Sequence, residues 1–572
     1  MTTVPDSNSF YGEVTIYAID MQVDANHDGI MDNRDLTGPN NPMPFWVNND
    51  VDRWHSVDAG TDEEQDDLQT NGMVLDCNYQ IGNGEYAIPC TRDLEDYARL
   101  WIPGLTNLLQ TLPTGFGVNL QWRNGTGAGI RIFGAADPDG GTNYLFSGST
   151  ASNQVDVGWY PCFGYVNPNR PLSITWTGWL YLSGYPPSDH FIFCGTSAGN
   201  DELVLQVTNQ YGGVAGEASV FLNLQDIKQM YERWTVGDDP STDPTSVAIP
   251  AYDGLPAGAG SFQYSFDTTL DSKTPYFLFV HGWNDPPFEK DRFAETTYKR
   301  LYWQGYQGRF GLYRWPTYYA FPLGELSLQS VDTENFDSSE NIAWLSAVGL
   351  KNRLVALNIQ YPGQVYVLAH SQGNVVTGEA LRLAGDSELV NTYIATQAAV
   401  PSHAYDPTTP IRDPVAPTPD RYAQYWTNGA PCYFDGVSSA ATYINFYNPN
   451  DWALTLLWPL DQTLKPDLNY GYSSSSNVFY RGFGLSGGTV LNFPTDTYTI
   501  FPFCDEGRDF AVGSQVNVGG AFQVGLTYNQ VDLSSPPYLF GTQHKYHSGE
   551  FRSDNMSRAT YWKQVLIEMG LK

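Results

Sequence analysis

Residues 365–381 read VYVLAHSQGNVVTGEAL. An apolar run from Val365 to Ala369 passes through His370, Ser371, Gln372 and Gly373 straight into apolar residues at helical spacing, which predicts a buried strand turning sharply into a helix. Acyl transfer needs a serine at such a junction. The turn lifts Oγ clear of the sheet and aims the helix N-terminus at the charge that develops on the substrate. Ala369 stands where the GxSxG pattern has its first glycine, and Asn374 follows Gly373 where a second small residue often sits. A nucleophilic Ser371 is the expectation; a purely structural serine turn is its rival.

Working upstream, the strand-like PYFLFV ends at His281, Gly282 and Trp283. Glycine there lets backbone approach a substrate, so the N–H groups of Trp283 and Gln372 are the expected oxyanion donors. A tight turn with a buried His and Trp is the alternative. From residue 266 onward strands and helices alternate: GRFGLYRW, VYVLAH, YIATQAAV and ATYINFY read as strands, while FAETTYKRLYWQ, NIAWLSAVGLKNRLVALNI, NVVTGEALRLA and MSRATYWKQVLIEMG read as helices. That order predicts a mostly parallel, doubly wound sheet.

FVHGWND, then LYRWP, then a helix opened by DSSENIAW, then LAHSQGN, resemble the α/β-hydrolase superfamily in its serine esterase and lipase-like members, in an order similar to poorly characterised bacterial hydrolases. The resemblance covers a little over half of the chain and implies a triad in chain order Ser, acid, His. Asp451 is the expected acid, because ATYINFYNPND ends a strand on the edge that carries Ser371; an N-cap role is the competing one, and Asp461 and Asp467 lack a preceding strand. His547 in GTQHKYHSGEF is preferred as the base, with His544 the alternative. His370 reads as a packed neighbour of the elbow.

The first half reads differently. Short alternating runs separated by Gly, Asn, Asp and Pro predict antiparallel strands, with one short helix over residues 92–102 where Leu94, Tyr97, Ala98 and Trp101 recur at helical spacing. In DANHDGIMDNRDL, Asp24, Asn26, Asp28, Asp32 and Asp35 occupy positions 1, 3, 5, 9 and 12 of a twelve-residue loop, with Gly29 at the sharp turn and the Ile30 carbonyl at position 7. This oxygen spacing suits Ca²⁺ in a structural role and resembles the calcium loops of dockerin modules, although a strand rather than a helix precedes it; a solvated acidic turn is the alternative. The acidic run 50–67 reads as a solvated face, with a second metal site the lesser reading. Trp122, Trp159, Trp176 and Trp179 read as core or interface residues before sugar-stacking ones.

Length and charge bound the rest. The 572 residues include 29 basic against 62 acidic side chains, a net charge of -33 that disfavours nucleic acid and anionic lipid as partners. No apolar run is long enough for a membrane span, and the opening residues lack a signal core. Cys77 with Cys90 and Cys162 with Cys194 are close enough in sequence to pair across hairpins, with free thiols equally acceptable. The calcium loop and these pairs lean toward a secreted or cell-surface protein.

The expected architecture is multidomain: an N-terminal region 1–112 with the calcium loop, an all-β sandwich-like domain 113–236, a linker 237–265, and an α/β-hydrolase domain 266–572 with inserts at about 401–440 and 459–543. The expected function is hydrolysis of a carboxylic ester, lipid or polymeric esters included, without an organic cofactor. The alternatives are a thioesterase, amidase or peptidase on the same scaffold, or a calcium-dependent adhesion protein with an accessory hydrolase domain.

Overall fold

In the computed structural model, the described residues are 19–47, 94–137, 139–146, 162–175, 189–236, 272–283, 287–315, 333–385, 387–400, 440–448, 527–533 and 555–572, with short strands within 75–92 and 478–500 and the isolated residues 150, 154, 285, 317, 451, 454, 547 and 549–552. Most of both expected inserts, the acidic run 50–67, Cys77, Cys90, Trp159, Trp176, Trp179, Asp461, Asp467 and His544 lie outside them.

Seven parallel strands form one sheet, in the spatial order Glu232–Thr235, Arg309–Arg314, Tyr276–Val280, Val365–His370, Val390–Thr396, Ala440–Tyr447, Thr527–Asp532. The near-continuous apolar runs of Tyr276–Val280 and Val365–His370 follow from burial on both faces. Phe277 and Phe279 point to a cluster with Phe293 and Tyr298 of helix Pro287–Trp303 and Tyr561 and Trp562 of helix Asn555–Glu568. Tyr276, Leu278 and Val280 point the other way, to Leu350 and Leu354 of helix Thr333–Gln360 and Val375 and Val376 of helix Gly373–Ala384.

A second, ten-stranded sheet gathers the N-terminal half. Its path runs Gln22–Val23, Ala98–Trp101, His190–Ser197, Met43–Val47, Val214–Asp226, Gly199–Thr208, Gly117–Trp122, Leu172–Ile174, with Gly129–Gly134 and Cys162–Val166 branching from His190–Ser197. It is mixed, since Met43–Val47 runs parallel to both of its neighbours.

Four expectations are corrected. Strands from residues 1–112 and 113–236 share this one sheet, so no boundary falls at 112. Glu232–Thr235 leaves that sheet and edges the parallel one, so the second unit begins before the 237–265 segment. The helix expected over 92–102 is instead a 3-10 turn, Leu94–Asp96, followed by strand Ala98–Trp101. Arg99 misled the reading, because it sits among apolar residues yet is only 3% exposed and pairs with Asp24 inside the protein. Finally, the strand order separates Cys162 from the buried Cys194. The strands of Cys162 and Cys194 lie on opposite sides of Gly129–Gly134, in register at Phe133 and Arg131. Two strand spacings are roughly 9 to 10 Å, beyond the roughly 7 Å that a disulfide spans.

The two sheets meet through helix Pro287–Trp303. Trp46 Nε1 donates to Asp96 Oδ1 at 2.7 Å, Lys299 pairs with the same carboxylate, and Tyr302 Oη donates to the Pro44 carbonyl at 2.9 Å. Tyr302 also stands edge-on to Trp46, with ring centroids 5.1 Å apart. Among the described residues no helix is long and apolar enough to cross a membrane.

Candidate active site

Strand Val365–His370 ends at Ser371, whose φ of 52° lies in the left-handed region that side chains other than glycine avoid. Local bonds hold this strain in place. Ser371 N donates to Thr396 O at 3.2 Å, and Ser371 O accepts from Asn374 N at 3.1 Å and Ala399 N at 3.2 Å. Asn374, the departure from the small-residue pattern, is a staple: its Nδ2 donates to Ala369 O (3.0 Å) and Ser371 O (2.9 Å), while its Oδ1 accepts from Tyr393 Oη (2.6 Å). Gly373 must be glycine, since a Cβ there would stand 2.4 Å from His281 O.

The turn after strand Tyr276–Val280 presses against this elbow. A Cβ on Gly282 would lie 3.0 Å from Ser371 Cβ. Trp315 N donates to His281 Nε2 at 3.2 Å, which leaves the proton on Nδ1, and Trp315 Nε1 donates to His281 O at 2.9 Å. The expected donors Trp283 and Gln372 thus directly follow the two residues in contact, Gly282 and Ser371, and Gln372 caps helix Gly373–Ala384.

His547, 177 positions beyond His370, comes to the same edge. Its Nε2 is 2.8 Å from Ser371 Oγ and its Nδ1 is 2.7 Å from Asp451 Oδ2. Asp451 is fully buried. Oδ2 also accepts from Gln397 Nε2 at 2.9 Å, and Oδ1 accepts from Leu454 N at 3.2 Å, so the expected N-cap bond coexists with the imidazole contact. Burial works against a charged His547, yet the adjacent Asp451 carboxylate outweighs it and holds the imidazole above its ordinary value.

Gln397 was not evident from sequence. It follows strand Val390–Thr396 at φ 43°, another left-handed side chain, and its N–H donates to Phe446 O at 2.8 Å. Only the strain marks it, and strain has no sequence signature in YIATQAAV.

The acidic loop 24–35 folds around its own backbone. Asp24 Oδ2 accepts from Gly29 N (3.2 Å), Asn26 Oδ1 from Asp28 N (3.0 Å), Asp28 Oδ1 from Ile30 N (2.9 Å), and Asp35 from both Asn26 N (3.1 Å) and Asp32 N (2.8 Å). Gly29, at φ 88°, makes the sharp turn. Arg99 pairs with Asp24, and Arg34 reaches Asp28 at 2.8 Å and Asp32 at 2.9 Å. Among the described residues no group of three or more His, Cys, Asp or Glu side chains is assembled to hold a metal. Asp24 Oδ1, however, is buried without a hydrogen-bond partner among the described residues, and burial pushes this carboxyl up to about 6 despite Arg99. The loop is seated on the second unit: the His27 ring stacks on Tyr302 with centroids 3.7 Å apart, and Gln307 Nε2 donates to Asn26 O at 3.1 Å.

No family model matches the chain, and no curated protein does. A solved structure of the esterase PE8 aligns with 33% of this chain and 75% of its own, at 15% identity and a TM-score of 0.20. At that score the likeness carries no argument.

Proposed function

We propose that the chain is a serine carboxylic ester hydrolase on an α/β-hydrolase fold, with Ser371 as nucleophile, His547 as base and Asp451 as its orienting acid. One observation carries the reading: a hydroxyl, an imidazole and a buried carboxylate stand in line at 2.8 and 2.7 Å, with the hydroxyl on a strained strand-to-helix turn. Ser371 Oγ attacks the acyl carbon while His547 Nε2 takes its proton. The tetrahedral oxyanion is received by the N–H groups of Trp283 and Gln372. Collapse breaks the ester C–O bond, and His547 returns the proton to the leaving alcohol. Water then attacks the acyl-enzyme, giving its proton to His547, and the acid is released as Ser371 recovers it.

Mass-spectrometric mapping of a fluorophosphonate adduct tests the nucleophile. Wild type labels at Ser371, Ser371→Ala does not, and the variant loses hydrolysis of p-nitrophenyl esters. Absence of an adduct on folded wild type overturns the reading. Thioester and peptide substrates in the same panel separate ester hydrolysis from its neighbours on the same machinery.

We also propose that residues 24–35 bind Ca²⁺ through the side chains of Asp24, Asn26, Asp28, Asp32 and Asp35 and the Ile30 carbonyl. The support is the unpartnered, buried Asp24 Oδ1 in an all-oxygen donor set. The ion would act on stability. At a concentration of 100 Kd, binding contributes about 2.7 kcal/mol, which raises the wild-type Tm by about 2 °C in calcium over chelator. That rise disappears in Asp24→Asn, and equal Tm values in calcium and chelator refute the proposal.

A further inference from the structure

Behind the Ser371–His547–Asp451 line stand an imidazole and a carboxyl to which the proposed reaction gives no part. His370 is 4% exposed, and its Nε2 lies 2.8 Å from the backbone carbonyl of His547. A carbonyl only accepts, so that nitrogen carries the proton. The ring is held by Phe293, stacked at 6.0 Å, and by Phe551, edge-on at 5.3 Å. Its Nδ1 side faces Gly282, where a Cβ would stand 3.0 Å away.

Three residues beyond His547, Glu550 is fully buried. Its Oε1 accepts from Thr396 Oγ1 at 3.0 Å and lies 3.8 Å from His370 Nε2; Thr396 Oγ1 in turn accepts from Tyr561 Oη at 3.0 Å. Among the described residues, Oε2 has no hydrogen-bond partner. The Glu550 carbonyl accepts from Arg300 Nη1 at 2.9 Å and Trp562 Nε1 at 3.1 Å. The short segment carrying His547 is therefore anchored at residue 550 by three elements, and at residue 547 itself by His370.

Resting on the proposed triad, we propose that His370 is a positioning residue: its Nε2–H bond to the His547 carbonyl fixes the backbone from which that imidazole reaches Ser371, with Glu550 as the buried carboxyl behind it. The nucleophile and the base are thereby tied twice, once through Oγ and once through the residue immediately before the nucleophile. A displacement of about 1 Å at a reacting group costs up to about a hundredfold.

The test compares His370→Leu, His370→Asn and His370→Gln with wild type. Glutamine sets an amide donor at the reach of Nε2, asparagine stops one bond short, and leucine has no donor. Expected are a kcat lowered about tenfold or more in His370→Leu and His370→Asn, KM within about twofold, and a His370→Gln kcat within about threefold of wild type. Should His370→Leu fail to fold, the asparagine and glutamine pair gives the same reading, with near-UV circular dichroism confirming native packing. Equal kcat in all variants, or losses that track Tm and ignore the donor, overturn the proposal while Ser371 still labels. Wild type that does not label at Ser371 overturns the triad and this proposal with it.

Discussion

Replacing Asp451 with asparagine removes one charge without changing shape, and the hydrogen bonds around the carboxylate determine the effect on catalysis. Oδ2 receives two donors, His547 Nδ1 and Gln397 Nε2, and Oδ1 receives a third, Leu454 N. An amide offers one acceptor atom and one donor atom. With its oxygen at the Oδ2 position, its NH₂ opposes Leu454 N–H; with its NH₂ there, it opposes both Gln397 and the proton on His547 Nδ1. In the second arrangement the imidazole relieves the conflict by moving its proton to Nε2, which then points a hydrogen at Ser371 Oγ and cannot accept one. The wrong tautomer in a serine triad costs about 10⁴ in kcat, or about 5.5 kcal/mol of barrier. A second effect concerns pH. Because the Asp451 carboxylate holds His547 above its ordinary value, and the neutral imidazole is the active form, wild-type kcat/KM rises with pH through that raised value. In Asp451→Asn the residual activity rises at lower pH. The assay is kcat/KM for p-nitrophenyl acetate between pH 5 and 9, with the rate of fluorophosphonate labelling in parallel. A loss of less than about tenfold, or an acidic limb that does not move down, refutes the assignment of Asp451.

Gly282→Ala sets a methyl group 3.0 Å from Ser371 Cβ and His370 Nδ1, so it lowers stability by about 1–3 kcal/mol and slows hydrolysis; urea melts and kcat of the purified variant check both. Gln397→Leu withdraws a side-chain donor from the buried Asp451 and is expected to lower kcat by about tenfold with KM little changed, read by steady-state kinetics. Lys299→Met leaves Asp96 buried without its cation, at a cost of about 3–5 kcal/mol. Calorimetry should show one lowered transition, since the pair lies in the core shared by the two sheets; a lowered transition for only half of the protein contradicts that shared core.

Local signals were legible where backbone chemistry is distinctive. The apolar runs at 276–280 and 365–369 and the glycine turns after them announced parallel strands ending at one edge, because a strand covered on both faces has no polar alternation to hide it. Strand position pointed to Asp451 and the resemblance of the loop before the last helix pointed to His547, whose imidazole stands 2.8 Å from Ser371 Oγ and 2.7 Å from Asp451 Oδ2. Arg99 shows the limit of periodicity: a buried charge partnered by Asp24, 75 positions away, makes a strand look like an amphipathic helix. Gln397 and Glu550 were illegible for a related reason. Their parts depend on Asp451, Thr396 and His370, neighbours that only the folded chain supplies.

The placement of Glu232–Thr235 bears on how the protein can be divided. A fragment starting after residue 236 would forfeit this border strand, stripping Arg309–Arg314 of its outer ladder and exposing a row of unpaired amides to self-association. It would also remove Arg233, which lies 3.2 Å from Asp291. Although Ser371, His547 and Asp451 all sit in the later half, that half borrows its margin from the earlier one, so separating the parallel-sheet unit calls for a cut ahead of residue 232.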